Sequence, residues 1–458
     1  MADSFASRTA NPWSRARRLA ERTPESRNRY VDFLRAASIL VVVIGHWLMA
    51  APHATRGELT LGDMLHVAPW TQWLTWVFQV MPLFFIVGGY SNAVSWESAR
   101  RSGVGYAGWA STRLRRLVAP LVPLLVFWSL LAVVAGRTGV KPQTLRIGSQ
   151  AALIPTWFLA VYVMVVVAAP ATHALWRRFG ITSFFAFAAG AVAVDAVAFA
   201  GGISPLRWVN YVFVWLGVHQ LGYAWRDGRI AGTPRTLAWS AAGLAVLLGL
   251  VFLGSYPVSM ISVPGEAVSN SRPPTLALLA LGVFHGGLVL AAEAPARRWL
   301  RRLRPWTAAV LVNGTIMTLY LWHATTLVLV VGLANLFGGV GLGLAPATSA
   351  WWITRVPWIV LLSLALLPFL AVFGRFEQQS RAGGAGAPAA WRTVAGAALL
   401  CAGMASLALG GIGGEGPLGL RLQALVLTFL GFALILTPRA GGRSPALTRD
   451  TRARKHRR

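Results

Sequence analysis

The chain has 458 residues, 56% of them hydrophobic and only 12% charged, against about 25% charged in an ordinary soluble domain. Its 42 Lys+Arg against 14 Asp+Glu give a formal net charge of +28. Most of the basic residues lie in short loops between long apolar runs, where membrane topology calls for them, so nucleic-acid binding and a soluble fold are set aside in favour of a polytopic membrane protein.

Residues 1–28, which carry Arg8, Arg15, Arg17, Arg18, Arg22 and Arg27, are too long and polar for a signal peptide and read as a basic cytoplasmic tail. Twelve candidate spans follow, near 33–50, 70–92, 117–136, 155–175, 181–200, 208–225, 236–254, 275–293, 308–335, 351–374, 391–411 and 420–437. Each approaches the length that a hydrocarbon core of ~30 Å requires at ~1.5 Å per residue. With the N-terminus inside and the loops alternating, basic residues fall 33 inside, 8 outside and one, Arg35, within the first span, which accounts for all 42. Both termini are therefore expected in the cytoplasm. "RAGGAGAPAA" (381–390) reads as a Gly/Ala linker between a core of ten helices (29–380) and two added spans (391–437). The tail 438–458 is expected to be a disordered basic segment able to lie against anionic lipid. The single cysteine, Cys401, lies in an apolar run and excludes an intramolecular disulfide.

Ionisable groups at membrane depth are costly and are functional candidates. The first span, "RYVDFLRAASILVVVIGHWLMA", carries Arg35 and His46. Arg35 has two readings: a snorkelling residue paired with Asp32, or a clamp for a phosphate or carboxylate. His46, His219, His285 and His323 all fall near mid-bilayer. Each alone can be a neutral ring bonded to a neighbouring helix; together they suggest a shared polar cavity, with imidazole suited to proton transfer near neutral pH. No two have the i, i+4 spacing of a helical metal site, and no metal is expected. Asp195 and Glu293 are candidates to orient a histidine or balance a charge. "MPLFFIVGGYSNAV" (81–94) places Pro82 near the middle of the second span, where it would free the Phe78 carbonyl, and Gly88 and Gly89 permit close helix approach.

Several segments taken in order resemble the acyltransferase-3 family of integral membrane O-acyltransferases. Arg35 and His46 match its R-x10-H signature. "PLFFIVGGYS" resembles its Phe-rich second helix, and "RLRRLVAP", with Arg113 and Arg116, its basic loop before the third. "PTWFLAVYVM" resembles its Trp-containing fourth helix. "IMTLYLWH" matches its Tyr-x-x-His helix at Tyr320 and His323, and "RFEQQSR" its closing acidic residue at Glu377. The similarity spans roughly residues 28–380; the two added spans and the loop "SVPGEAVSNSRPPT" (262–275) fall outside the family pattern.

The resemblance implies a bacterial plasma-membrane enzyme. It would take an acyl group, usually acetyl, from cytoplasmic acyl-CoA to a hydroxyl of a carbohydrate or similar acceptor at the membrane or its outer face. His46 would be the general base, with an acyl-histidine relay as a variant. Arg35, Arg113 and Arg116 would hold the phosphates of CoA. Tyr320 or His323 would bond the acceptor or the developing oxyanion. The alternative classes are a transporter or flippase of a polar or lipid-linked substrate that uses the histidine cluster, and a non-catalytic membrane scaffold.

Overall fold

The computed structural model describes residues 11–56, 58–380, 387–414 and 416–436. The first ten residues, 381–386 of the expected linker and the basic C-terminal tail lie outside the described residues. Within the expected N-terminal tail, Pro12–Glu21 forms a helix, α1, opened by the Asn11 side chain accepting from the Trp13 N–H.

The first span is α2, Arg29–Met49. Asn28 caps it by accepting from the N–H groups of Tyr30 and Val31, and Asp32 in the first turn meets the positive end of the helix dipole. Pro52 cannot continue the helix. The chain instead forms an antiparallel hairpin, β1 (Ala50–Thr55) and β2 (Glu58–Asp63), pairing Ala50 with Asp63 and Thr55 with Glu58. This two-stranded sheet is the one exception to the all-α expectation among the described residues.

Short helical turns across residues 69–78 lead into α3, Met81–Arg101. Pro82 lies inside the 33-residue candidate span Pro69–Arg101, as expected, and what is corrected is the freed Phe78 carbonyl. Pro82 stands in the first turn of α3, where no donor is needed, and the Phe78 carbonyl accepts from the Val80 N–H. Next come α4 (Tyr106–Val118) and α5 (Leu121–Arg137), bent 41° at their junction. Then α6 (Pro142–Leu153) runs into α7 (Thr156–Phe179). They are followed by α8 (Ile181–Ala200), α9 (Asn210–Arg226), α10 (Thr233–Phe252) and the pair α11 (Leu276–Ala291) and α12 (Glu293–Trp299), bent 52°. The chain continues through α13 (Leu303–Gly314), α14 (Ile316–Leu336), α15 (Ser349–Ser380), α16 (Ala390–Gly410) and α17 (Leu422–Leu436).

Among the described residues, eight helices are long and apolar enough to cross a membrane, or ten if each bent pair is one span. The expected twelve included segments that fall short on length. α9 has 17 residues and α17 has 15, whereas the run 308–335 begins in α13 and supplies its span as α14. From Val214 to Trp225 every residue of α9 is buried, so this helix is enclosed by protein and needs no lipid-facing stripe.

Apolar burial gives little drive between helices in lipid, so close backbone contact and polar ties decide the packing. α3 and α9 cross at Gly89 and Gly222, where a Cβ on Gly89 would overlap the His219 carbonyl. The Trp322 ring of α14 stacks on Phe369 and Phe373 of α15 at 4.8 and 4.1 Å. Glu377 near the end of α15 accepts from the N–H and hydroxyl of Thr318 at 3.1 and 3.0 Å, fixing the start of α14. The loop before α11 is folded: Asn270 donates to the carbonyls of Pro257 and Ser259, and Trp76 donates to Val258. α16 and α17 pack on each other and α16 lies along α7.

Candidate active site

α2 and α14 bring His46 and His323 together. His46 Nδ1 lies 2.8 Å from His323 Nε2, and the two rings stack with centroids 5.1 Å apart. His323 Nδ1 lies 2.6 Å from the Tyr320 carbonyl. A carbonyl only accepts, so Nδ1 of His323 carries the proton and its Nε2 is the acceptor. His46 therefore donates from Nδ1 and keeps its lone pair on Nε2. His323 is fully buried, whereas His46 retains accessible surface. The Trp47 indole donates to the His323 carbonyl at 3.1 Å and holds the two helices in register. The Tyr320 hydroxyl does not face this pair; it donates to the Pro155 carbonyl at 2.9 Å.

Toward the N-terminal end of α2 lies a basic cluster. Arg35 donates to the Ser91 hydroxyl at 2.9 Å and lies 3.6 Å from Asp32. Arg113 donates to the Ser95 hydroxyl at 2.9 Å and sits over the Trp109 ring at 5.6 Å. Ser91 and Ser95 are one turn apart on α3, so one helix face presents both hydroxyls. Tyr162, Arg35 and Arg116 surround Arg113 closely enough to act on it electrostatically. Asp32 also binds Arg27 at 2.6 Å, and Arg113 has no carboxylate partner among the described residues. The candidate site thus has two parts: guanidinium groups toward one end of α2 and a paired imidazole toward the other.

Of the four histidines, the structure pairs His46 with His323 and gives His219 and His285 other partners. His219 pairs with Asn92 at 3.1 Å, a contact created by the Gly89–Gly222 crossing, and His285 bonds the Trp76 carbonyl at 2.9 Å. Asp195 orients no histidine. It accepts from Asn210 at 2.7 Å, from the Tyr256 hydroxyl at 3.0 Å and from the Leu276 N–H at 2.8 Å. Glu293 accepts from the Trp225 indole and pairs with Arg297. Sequence reasoning passed over Ser91, Ser95, Trp47 and Pro155. The four-residue step between the serines was the one available signal, since it puts both hydroxyls on the face of α3 that meets Arg35 and Arg113.

A family model described as an acyltransferase domain matches residues 28–375. No curated protein and no solved structure matches the chain.

Proposed function

The chain belongs to the acyltransferase-3 family of integral membrane O-acyltransferases, and from that premise we propose that it transfers an acetyl group from cytoplasmic acetyl-CoA to a carbohydrate hydroxyl, with His46 as the base. The enzyme is a membrane-embedded acyltransferase that moves an acyl group from an acyl-CoA-type donor to a hydroxyl-bearing acceptor. The single observation carrying the finer reading is the His46–His323 pair, whose proton arrangement leaves the Nε2 of His46 unprotonated.

Arg35, Arg113 and Arg116 bind the phosphates of CoA, with Arg35 and Arg113 held by the serine hydroxyls of α3. Arg suits this task because its planar fork meets phosphate oxygens two at a time. His46 stands eleven residues further along α2, about 16 Å higher and within about 20° of the same face. An extended pantetheine arm spans a comparable length, so the thioester reaches the base while the phosphates stay anchored.

The acceptor hydroxyl gives its proton to His46 Nε2 as its oxygen attacks the thioester carbonyl. The carbon–sulfur bond breaks, the sulfur leaves as thiolate, and His46 returns the proton to it; the products are an ester and CoA. His323 accepts from the Nδ1–H of His46 throughout and so steadies the imidazolium, the role an orienting partner plays beside any histidine base. Tyr320 acts through its backbone carbonyl as a positioning residue.

Sealed vesicles of the native membrane with the cytoplasmic face outward test this reading. Added acetyl-CoA, labelled in the acetyl group, should label a membrane or lumenal saccharide and release CoA. Arg113→Ala should raise the KM for acetyl-CoA with kcat little changed. Absence of transferred label in the wild-type vesicles would overturn the acetyl and carbohydrate assignment.

A further inference from the structure

α6 and α7 meet at a break. Pro155 has no N–H, so the chain turns at Ile154–Pro155 between the two helices. Irregular backbone within a membrane protein's core needs neighbours that satisfy it. Here the carbonyls of Leu153, Ile154 and Pro155 receive Thr156, the Trp157 N–H and Tyr320, while side chains on either side of the break bind the backbone of α16 and the turn after it, which lie beyond the matched residues 28–375.

The unit holds both sides of the break. On α6, the Ser149 hydroxyl accepts from the N–H groups of Ile412 and Gly413 at 3.1 Å each, and Gln150 donates to the Leu409 carbonyl at 2.9 Å. On α7, the Thr156 hydroxyl lies 2.9 Å from the Met404 carbonyl and 2.7 Å from that of Leu153. The Cys401 thiol meets the Ala160 carbonyl at 3.1 Å, one turn further along α7. Between these ties the Pro155 carbonyl receives the Tyr320 hydroxyl at 2.9 Å, and the Tyr320 carbonyl receives His323 Nδ1 at 2.6 Å.

We propose that the added two-helix unit positions the histidine pair, acting from Met404 through Thr156 and the Pro155 carbonyl onto Tyr320 and His323. The inference rests on the histidine pair being the base of the reaction. Tyr320 is anchored at both ends: its hydroxyl on α7, its carbonyl on the His323 ring. Fixing the hydroxyl fixes the rotation of α14 about its axis, and with it the direction in which His323 presents Nε2 to His46. Thr156 is the residue through which α16 sets the place of that anchor.

The full-length protein carrying Thr156→Val tests this, since valine keeps the shape and removes the hydroxyl. The account expects kcat to fall on the order of tenfold or more, as misplacement of a base by a fraction of an ångström does, with the KM for acetyl-CoA unchanged. Thr156→Ser should restore the rate. In a His323→Gln background the valine substitution should cost nothing further, because its effect runs through His323; a general loosening would cost the same in either background. Should His323→Gln leave no measurable rate, the serine rescue and the kcat–KM split decide. Tyr320→Phe, which removes one oxygen lower in the same relay, should reproduce the kcat loss and covers the case in which Thr156→Val does not fold. Folded Thr156→Val at the wild-type kcat would overturn the proposal while leaving the base assignment intact. An active His46→Ala variant would instead overturn the reading beneath it.

Discussion

A neutral imidazole donates from one nitrogen only, so the carbonyl at His323 Nδ1 decides the proton positions of both rings in the pair. Removing His323 should leave His46 able to accept a proton but free to rotate. His323→Ala is expected to lower kcat by roughly tenfold to a hundredfold, less than loss of the base itself, which is worth about 10² to 10⁴. Steady-state CoA release at saturating acetyl-CoA measures it. Arg35→Ala and Arg113→Ala should act on KM instead. Each removes hydrogen bonds to a charged group worth about 1.5–3 kcal/mol, and the KM for acetyl-CoA should rise about tenfold to a hundredfold. The step from Arg35 to His46 was legible in the sequence because eleven helical residues return to nearly the same face. The partner of His46 was not, because His323 lies 277 residues away and only the packing of α2 on α14 brings it near. The serines left only their four-residue spacing as a signal: hydroxyls in a span usually serve the helix's own carbonyls, and it is the guanidinium groups that give Ser91 and Ser95 another use.

The crossing of α3 and α9 depends on two residues without side chains. Gly89→Ala would drive a methyl into the His219 carbonyl and push α9 away from α3. It should destabilise the protein by ~1–3 kcal/mol or more, read as a lower thermal midpoint in detergent, and should separate His219 from Asn92. Asp195 does comparable work elsewhere, tying α8 to Asn210 at the start of α9, Tyr256 in the loop and Leu276 at the start of α11. Asp195→Ala leaves these donors without an acceptor, and each buried unpaired group costs about 1–3 kcal/mol. A lowered thermal midpoint with an unchanged KM for acetyl-CoA is the expected outcome; an unchanged midpoint would contradict the structural role. Hydropathy located most of the long helices because their apolar runs are continuous. It placed Pro82 inside the second span but did not show that a helix restarts there, because the helical turns at 69–78 lead almost directly into α3. It gave no sign of the hairpin at 50–63, whose strands are short and mixed in polarity.

Across the whole molecule, the proposed reaction needs its donor phosphates and its base on one path, and in that proposal α2 carries a residue for each, Arg35 and His46. The basic loops give that path a direction: the Arg35 end is expected to face the cytoplasm, with both termini on that side. Because Cys401 is the single cysteine, Cys401→Ser provides a background for testing it. Cysteines introduced at Ser4 and Ser444 should react with an impermeant maleimide from the cytoplasmic face, and one at Thr55, exposed in the hairpin, from the opposite face. Labelling of all three from one side would reverse or break the proposed path. The packing of α16 on α7 was invisible beforehand, since an apolar run beyond a Gly/Ala segment shows its length and not its neighbour. The most direct measurement is acetyl-CoA-dependent release of CoA by the purified full-length protein beside its His46→Ala variant, both folded to the same extent. The account predicts that the variant loses at least about a hundredfold in kcat while still binding acetyl-CoA; release by the variant at the wild-type rate would contradict it.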